Sequence, residues 1–186
     1  MPLPLGHTAI GLVTHEISKT HLTSDTDRST AIKTLMLVVI LANLPDIDII
    51  VGLLIQGNGY AFHRGPTHSL LFALIMGYII SRLTCLSDKW PTLGTGTCVS
   101  IISSHLLADY FLTDAPVSFF WPLEVHWSSG HEKWADIFNA VFLKEYQDLD
   151  ILIGSVLSIC FIRWMRKFIH RSKYRLSMGK GVHRVN

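Results

Sequence analysis

Charge is scarce in this chain, and cysteine scarcer. Charged residues make up 16% of the 186, against 49% hydrophobic, with a mean hydropathy of +0.36. So apolar a composition excludes an ordinary solvent-exposed surface and points to a membrane-embedded or very helix-rich chain. The three cysteines, Cys85, Cys98 and Cys160, lie in or beside apolar runs without CxxC spacing. That excludes a disulfide framework and a thiolate zinc site, leaving buried thiols. The start, Met-Pro-Leu-Pro-Leu-Gly-His, lacks a basic region ahead of a long apolar one, so no cleaved signal peptide is expected. No serine nucleophile elbow, phosphate-cradling glycine loop or dinucleotide fingerprint occurs. There is no internal repeat and no low-complexity segment.

Single-domain length is filled by apolar segments with polar breaks. Residues 6–20 read as a short helix, too short to span a bilayer alone. Residues 21–30 read as a polar loop, with Ser29 or Thr30 as helix cap. Apolar segments follow at 31–55, 69–86, about 97–112 and 149–162, roughly 14 to 20 residues each against the ~20 of a clean crossing. The competing reading is a compact soluble all-α protein. The basic tail argues for the membrane, since eight of the 16 Lys and Arg fall from Arg163 onward. By the positive-inside rule that end is cytoplasmic. Counting backward, residues 113–148 are outside, 87–94 inside, 56–68 outside and 21–30 inside. The expected fold is an all-α membrane bundle of about four apolar helices plus the short first one, comprising a membrane-embedded domain over 1–165 and a basic cytoplasmic tail over 166–186.

That topology brings the polar residues of the apolar segments to one face. His63-Arg64-Gly65-Pro66-Thr67-His68-Ser69 places two histidines and an arginine in a Gly-Pro turn, with Thr67 as expected N-cap and His68 in the first helical turn. Imidazole is a first-choice ligand for zinc and related metals, although such a pair also serves as a polar cap. Asn43-Leu44-Pro45-Asp46-Ile47-Asp48 interrupts the first long apolar segment. Ionisable groups at membrane depth usually face a cavity and have a function. Asp46 and Asp48 have an ordinary alternative as a turn after proline, but among Leu44, Ile47, Ile49 and Ile50 they need a positive partner. A divalent metal supplies one. Arg64 is the other candidate, and it suits a phosphate oxygen equally.

His105-Leu-Leu-Ala-Asp109 puts an imidazole and a carboxylate on one helical face at i and i+4, either as ligands or as a hydrogen-bonded pair. His7 opens the first helix. His15 and His21 fit no pattern and read as surface or core histidines. His126 and His131 are candidate additional ligands or substrate contacts. The metal candidates are therefore His7, Asp46, Asp48, His63, His68, His105 and Asp109, and the catalytic candidates are Asp46, Asp48, Asp109 and Arg64. An oxygen–nitrogen set without thiolate suits zinc or manganese and permits one or two ions. Two ions about 4 Å apart can activate water and stabilise an in-line displacement at phosphorus.

Gly6-His7, Leu44-Pro45-Asp46-Ile47-Asp48, the His63–Ser69 motif, His105-x-x-x-Asp109 and Trp121-Pro122, in this order, resemble the YdjM-type family of bacterial inner-membrane proteins, described as metal-dependent hydrolases. The resemblance covers residues 5 to 123. That family is distantly similar to the zinc-dependent phospholipase C and single-strand nuclease clan, helical enzymes that cleave phosphoesters at a His/Asp cluster. The resemblance implies that His7, Asp46 or Asp48, His63, His68, His105 and Asp109 are ligands. The clan's further His/Glu metal group finds only Glu124, His126, His131 and Glu132 here, without HxxxE spacing.

The expected function is a membrane-bound metal-dependent hydrolase of a phosphoester, on a lipid or lipid-linked substrate. Its site opens near the outer leaflet, and no nucleic-acid partner is expected. The alternative is a non-catalytic membrane protein with a structural metal and a basic tail that recruits a partner.

Overall fold

The computed structural model describes residues 4–19, 27–112, 116–123 and 147–181, with side chains of the last segment over 149–169. His21, Glu124, His126, His131 and Glu132 lie outside the described residues. Among the described residues the regular elements are helical: α1 (Pro4–Ser18), α2 (Arg28–Asn43), a 3-10 turn (Leu44–Asp46), α3 (Ile47–Gln56), a 3-10 turn (Pro66–His68), α4 (Leu70–Leu86), α5 (Thr95–Leu112) and α6 (Gln147–Gly181).

Two local expectations are corrected. The cap of α2 is Asp27, whose carboxylate accepts from the Thr30 N–H at 3.0 Å, not Ser29 or Thr30. An aspartate one turn ahead satisfies an orphan amide and adds negative charge at the positive helix end. Thr67 does not cap α4. Pro66–His68 forms its own 3-10 turn, so His68 precedes the helix, and Ser69 accepts from the Phe72 N–H at 3.1 Å. The Thr67 hydroxyl donates elsewhere, as described below. α6 runs through residues 165 and 166 as one helix.

The Pro45 break behaves as its chemistry dictates. Proline has no N–H to continue α2, so the chain tightens into a 3-10 turn and restarts as α3. α1 packs against α2, α5 and α6, while α5 also packs against α2 and α4. Their shared core is Leu37, Val38, Leu41, Ala42, Ala73, Leu93, Cys98, Ile101 and Ile102. Two glycines allow the close approaches. A Cβ on Gly11 would come within 2.7 Å of the Ala42 side chain, and one on Gly77 within 2.5 Å of Val99. Small residues at crossings are how helices associate where the surroundings are as apolar as the side chains.

The outward faces are apolar too. Leu35, Met36, Ile40, Ile50 and Leu54 on α2–α3, Leu74, Ile75 and Leu83 on α4, and Ile153, Leu157 and Phe161 on α6 are all exposed. Such a contiguous apolar exterior marks a membrane or an interaction surface. By length and composition, one helical stretch among the described residues, Arg28–Gln56, is able to cross a membrane; Leu70–Leu86 is a shorter apolar helix.

Candidate metal centre

Four pieces of chain meet at one end of the bundle: the start of α1, the α2–α3 break, the turn before α4 and the last turns of α5. Asn43 ties two of them together, since its side-chain amide donates to Thr8 Oγ1 at 2.9 Å and to the Val39 carbonyl at 2.8 Å. Residues 116–123 close over the same end, where the Leu70 N–H donates to the Phe119 carbonyl at 3.0 Å.

His7, Asp48, Arg64, His68, His105 and Asp109 are buried there, while Asp46 keeps 21% of its side chain exposed. At the centre His68 Nε2 and His105 Nε2 stand 3.3 Å apart. Asp46 Oδ1 is 3.6 Å from the first and 3.4 Å from the second. Asp109 Oδ2 lies 3.4 Å from His68 Nε2, and its Oδ1 lies 3.6 Å from His7 Nε2. The His7 ring stacks on that of His105 with centroids 3.7 Å apart. Arg64 joins through Nε, 3.5 Å from Asp109 Oδ2.

Hydrogen bonds determine which imidazole nitrogen carries a lone pair. His105 Nδ1 lies 2.7 Å from the Ala42 carbonyl, which only accepts, so Nδ1 bears the hydrogen and Nε2 the lone pair. His68 Nδ1 is 3.1 Å from Asp48 Oδ2, which leaves its Nε2 toward the centre. Burial disfavours a charged imidazole, but the carboxylates of Asp109, Asp46 and Asp48 outweigh it and push His68 up to about 10. A proton on Nε2 there stands where a cation would.

The separations fit a metal. Ligands ~2.0–2.1 Å from a tetrahedral ion stand roughly 3.3 Å from one another. The central distances of 3.3 to 3.6 Å are of that size, and they are long for hydrogen bonds. Three groups have ligand atoms within 4.8 Å of one another: His7, His105 and Asp109; Asp46, His68 and His105; and Asp48, His63 and His68. All seven metal candidates read from the sequence therefore stand together, with Arg64 beside them.

A family model described as YdjM inner membrane protein matches residues 1–172. The chain belongs to that family. YdjM membership accords with the apolar exterior and with the motif order read from the sequence. No curated protein and no solved structure matches the chain.

Sequence reasoning missed the supporting residues of this YdjM-family chain. Thr67 donates to Asp48 Oδ2 at 2.7 Å, the Ala42 carbonyl orients His105, and Asn43 with Thr8 fixes the helix that carries His7. Thr67 and Asn43 lay inside recognised motifs, where the hydroxyl signalled a cap equally well and the amide signalled only a break. A backbone carbonyl leaves no trace in residue type.

Proposed function

We propose that the chain is a membrane-embedded metal-dependent hydrolase that cleaves a phosphoester of a lipid or lipid-linked substrate. One observation carries the reading: Asp46, His68 and His105, from three separate parts of the chain, bring ligand atoms to 3.3–3.6 Å of one another, and Asp109 Oδ2 stands 3.4 Å from His68 Nε2. Zinc suits this set, with manganese as the alternative. A bound ion would supply a water activated at neutral pH and charge neutralisation at phosphorus.

The chain's own residues supply the rest. Asp46 is the carboxylate that solvent reaches, so substrate and water enter beside it. Arg64, held against Asp109, contributes a permanent positive charge for an anionic phosphoryl group. Tyr60, Phe62, Phe111, Phe120 and Trp121 are exposed around this end. Aromatic residues of this kind collect at the membrane–water boundary. The Arg28–Gln56 stretch of 29 residues would extend roughly 43 Å if straight, longer than the ~30 Å hydrocarbon core. Both features support a site at headgroup depth, where a lipid phosphoester lies. The basic end of α6 is then cytoplasmic, and the metal end faces the outer leaflet.

A second reading is favoured by the burial of every candidate ligand except Asp46: the ion is structural and the protein non-catalytic. Structural sites are closed, while catalytic ones keep a position for water. Metal analysis of detergent-purified protein beside a His68→Ala, His105→Ala double variant, followed by a phosphoester panel, tests both. Metal lost in the variant together with phosphoester turnover supports the hydrolase. Metal without turnover on any ester supports the structural ion, and a metal-free folded wild type removes both readings.

A further inference from the structure

Asp46 and Asp48 leave the same proline break two residues apart, yet they meet different partners. Four donors converge on Asp48. His63 Nδ1 is 3.1 Å from Oδ1. The Arg64 N–H reaches Oδ2 at 3.1 Å, the Thr67 hydroxyl at 2.7 Å and His68 Nδ1 at 3.1 Å. A carboxylate oxygen has two lone-pair positions, so the three donors on Oδ2 fill it, and Oδ1 is already engaged by His63. Asp46 Oδ1 instead faces His68 Nε2 and His105 Nε2 at metal-ligand spacing.

We propose that Asp48 is a positioning residue of the metal centre and not one of its ligands. This rests on the metal-centre reading above. Asp48 holds His68 and His63 with Nδ1–H toward itself, so that His68 presents Nε2 to Asp46, His105 and Asp109. The Ala42 carbonyl does the same for His105. Partners that fix tautomer and ring orientation are a regular feature of histidine metal sites. The competing arrangement places a second ion among Asp48, His63 and His68. It would require His68 to ligate through both nitrogens and give up its last N–H, and it would convert 3.1 Å hydrogen bonds into ligand–ligand contacts.

The test uses the full chain in detergent, with zinc stoichiometry and affinity read by chelator competition and coordination read by cobalt(II) absorption. Asp48→Asn is expected to keep the wild-type stoichiometry and cobalt band positions while zinc affinity falls roughly 10- to 100-fold. Asp46→Asn is expected to shift the bands. Loss of an ion equivalent in Asp48→Asn, or a band shift matching that of Asp46→Asn, overturns the assignment and leaves the metal centre standing. A wild type that binds neither metal overturns the centre itself, and the assignment with it. Should Asp48→Asn fail to fold, nitrogen-15 NMR of zinc-loaded wild type decides, with His68 assigned by comparison with His68→Gln. A proton on His68 Nδ1 supports the positioning role, and a ligated Nδ1 refutes it.

Discussion

At the C-terminal end of α1, Glu16 accepts from Lys19 at 2.9 Å and from Arg163 at 3.1 Å, with Arg166 at 3.5 Å. At the other end, the cluster that His7 joins through Asp109 holds three carboxylates, and among the described residues its permanent side-chain cation is Arg64. Both clusters bury charge, and both join α1 to other helices. The Glu16 cluster is completed by its own side chains: one carboxylate, three cations, hydrogen-bonding distances. The His/Asp cluster has the opposite balance, with more carboxylates than permanent cations among the described residues and central separations of 3.3 to 3.6 Å, long for hydrogen bonds. Burial of an unpaired charge costs several kcal/mol (roughly 3–5 when one partner of a buried pair is removed). Among the described residues the His/Asp cluster sets three carboxylates against one permanent cation, a balance that suits an added cation, whereas the internally balanced Glu16 cluster fastens helices.

The largest effect should come from breaking the His/Asp end. His68→Ala with His105→Ala is expected to abolish stoichiometric metal binding, read by elemental analysis. In the wild type a chelator should lower the thermal midpoint, because an ion at about 100 times its Kd adds roughly 2.7 kcal/mol. The double variant should not respond to chelator. A chelator-insensitive wild type would place the two ends in the same structural class.

Next in size is Glu16→Gln. It should lower stability by about 1.5–3 kcal/mol, the usual range for hydrogen bonds to charged groups, while metal content stays at the wild-type level. Loss of metal in this variant would show that the ends are not independent. The same carboxylate predicts a pH dependence. Burial pushes Glu16 up, but its bonds to Arg163 and Lys19 outweigh that and hold it at about 2, against an ordinary 4.5. A depressed folded-state value adds stability that is present above pH 4.5 and is lost as pH falls toward 2. Denaturation followed between pH 6 and 2 should therefore show an acid-side loss in the wild type that is smaller in Glu16→Gln.

The smallest effect is expected for Asn43→Ala. Deleting its bond to Thr8 should cost roughly 0.5–1.5 kcal/mol and weaken metal binding only slightly, since His7 is displaced but not removed. Chelator competition reads this. An affinity loss as large as that of the double histidine variant would make His7 a principal ligand.

Helical architecture, the break at Pro45, the inner-membrane family and the grouping of seven ligand candidates with Arg64 were all legible in the residue order. Each follows from chemistry that type and spacing carry: apolar runs, a proline without N–H, and ionisable residues in apolar segments at helical spacing. Helix caps were less legible, because Ser, Thr and Asp at neighbouring positions compete for the same role. Thr67 was lost to the cap assignment because its hydroxyl is used across 19 positions of sequence, by Asp48.

Tertiary structure alone distinguished the two aspartates of the break, and it alone showed which nitrogen each histidine presents. Asp46 and Asp48 are identical in type and lie two residues apart, so nothing local separates them. Their difference comes from Arg64, Thr67, His63 and His68 folding back onto one carboxylate while His105 approaches the other. Tautomer and charge balance are properties of three-dimensional neighbourhoods, and long-range packing sets those.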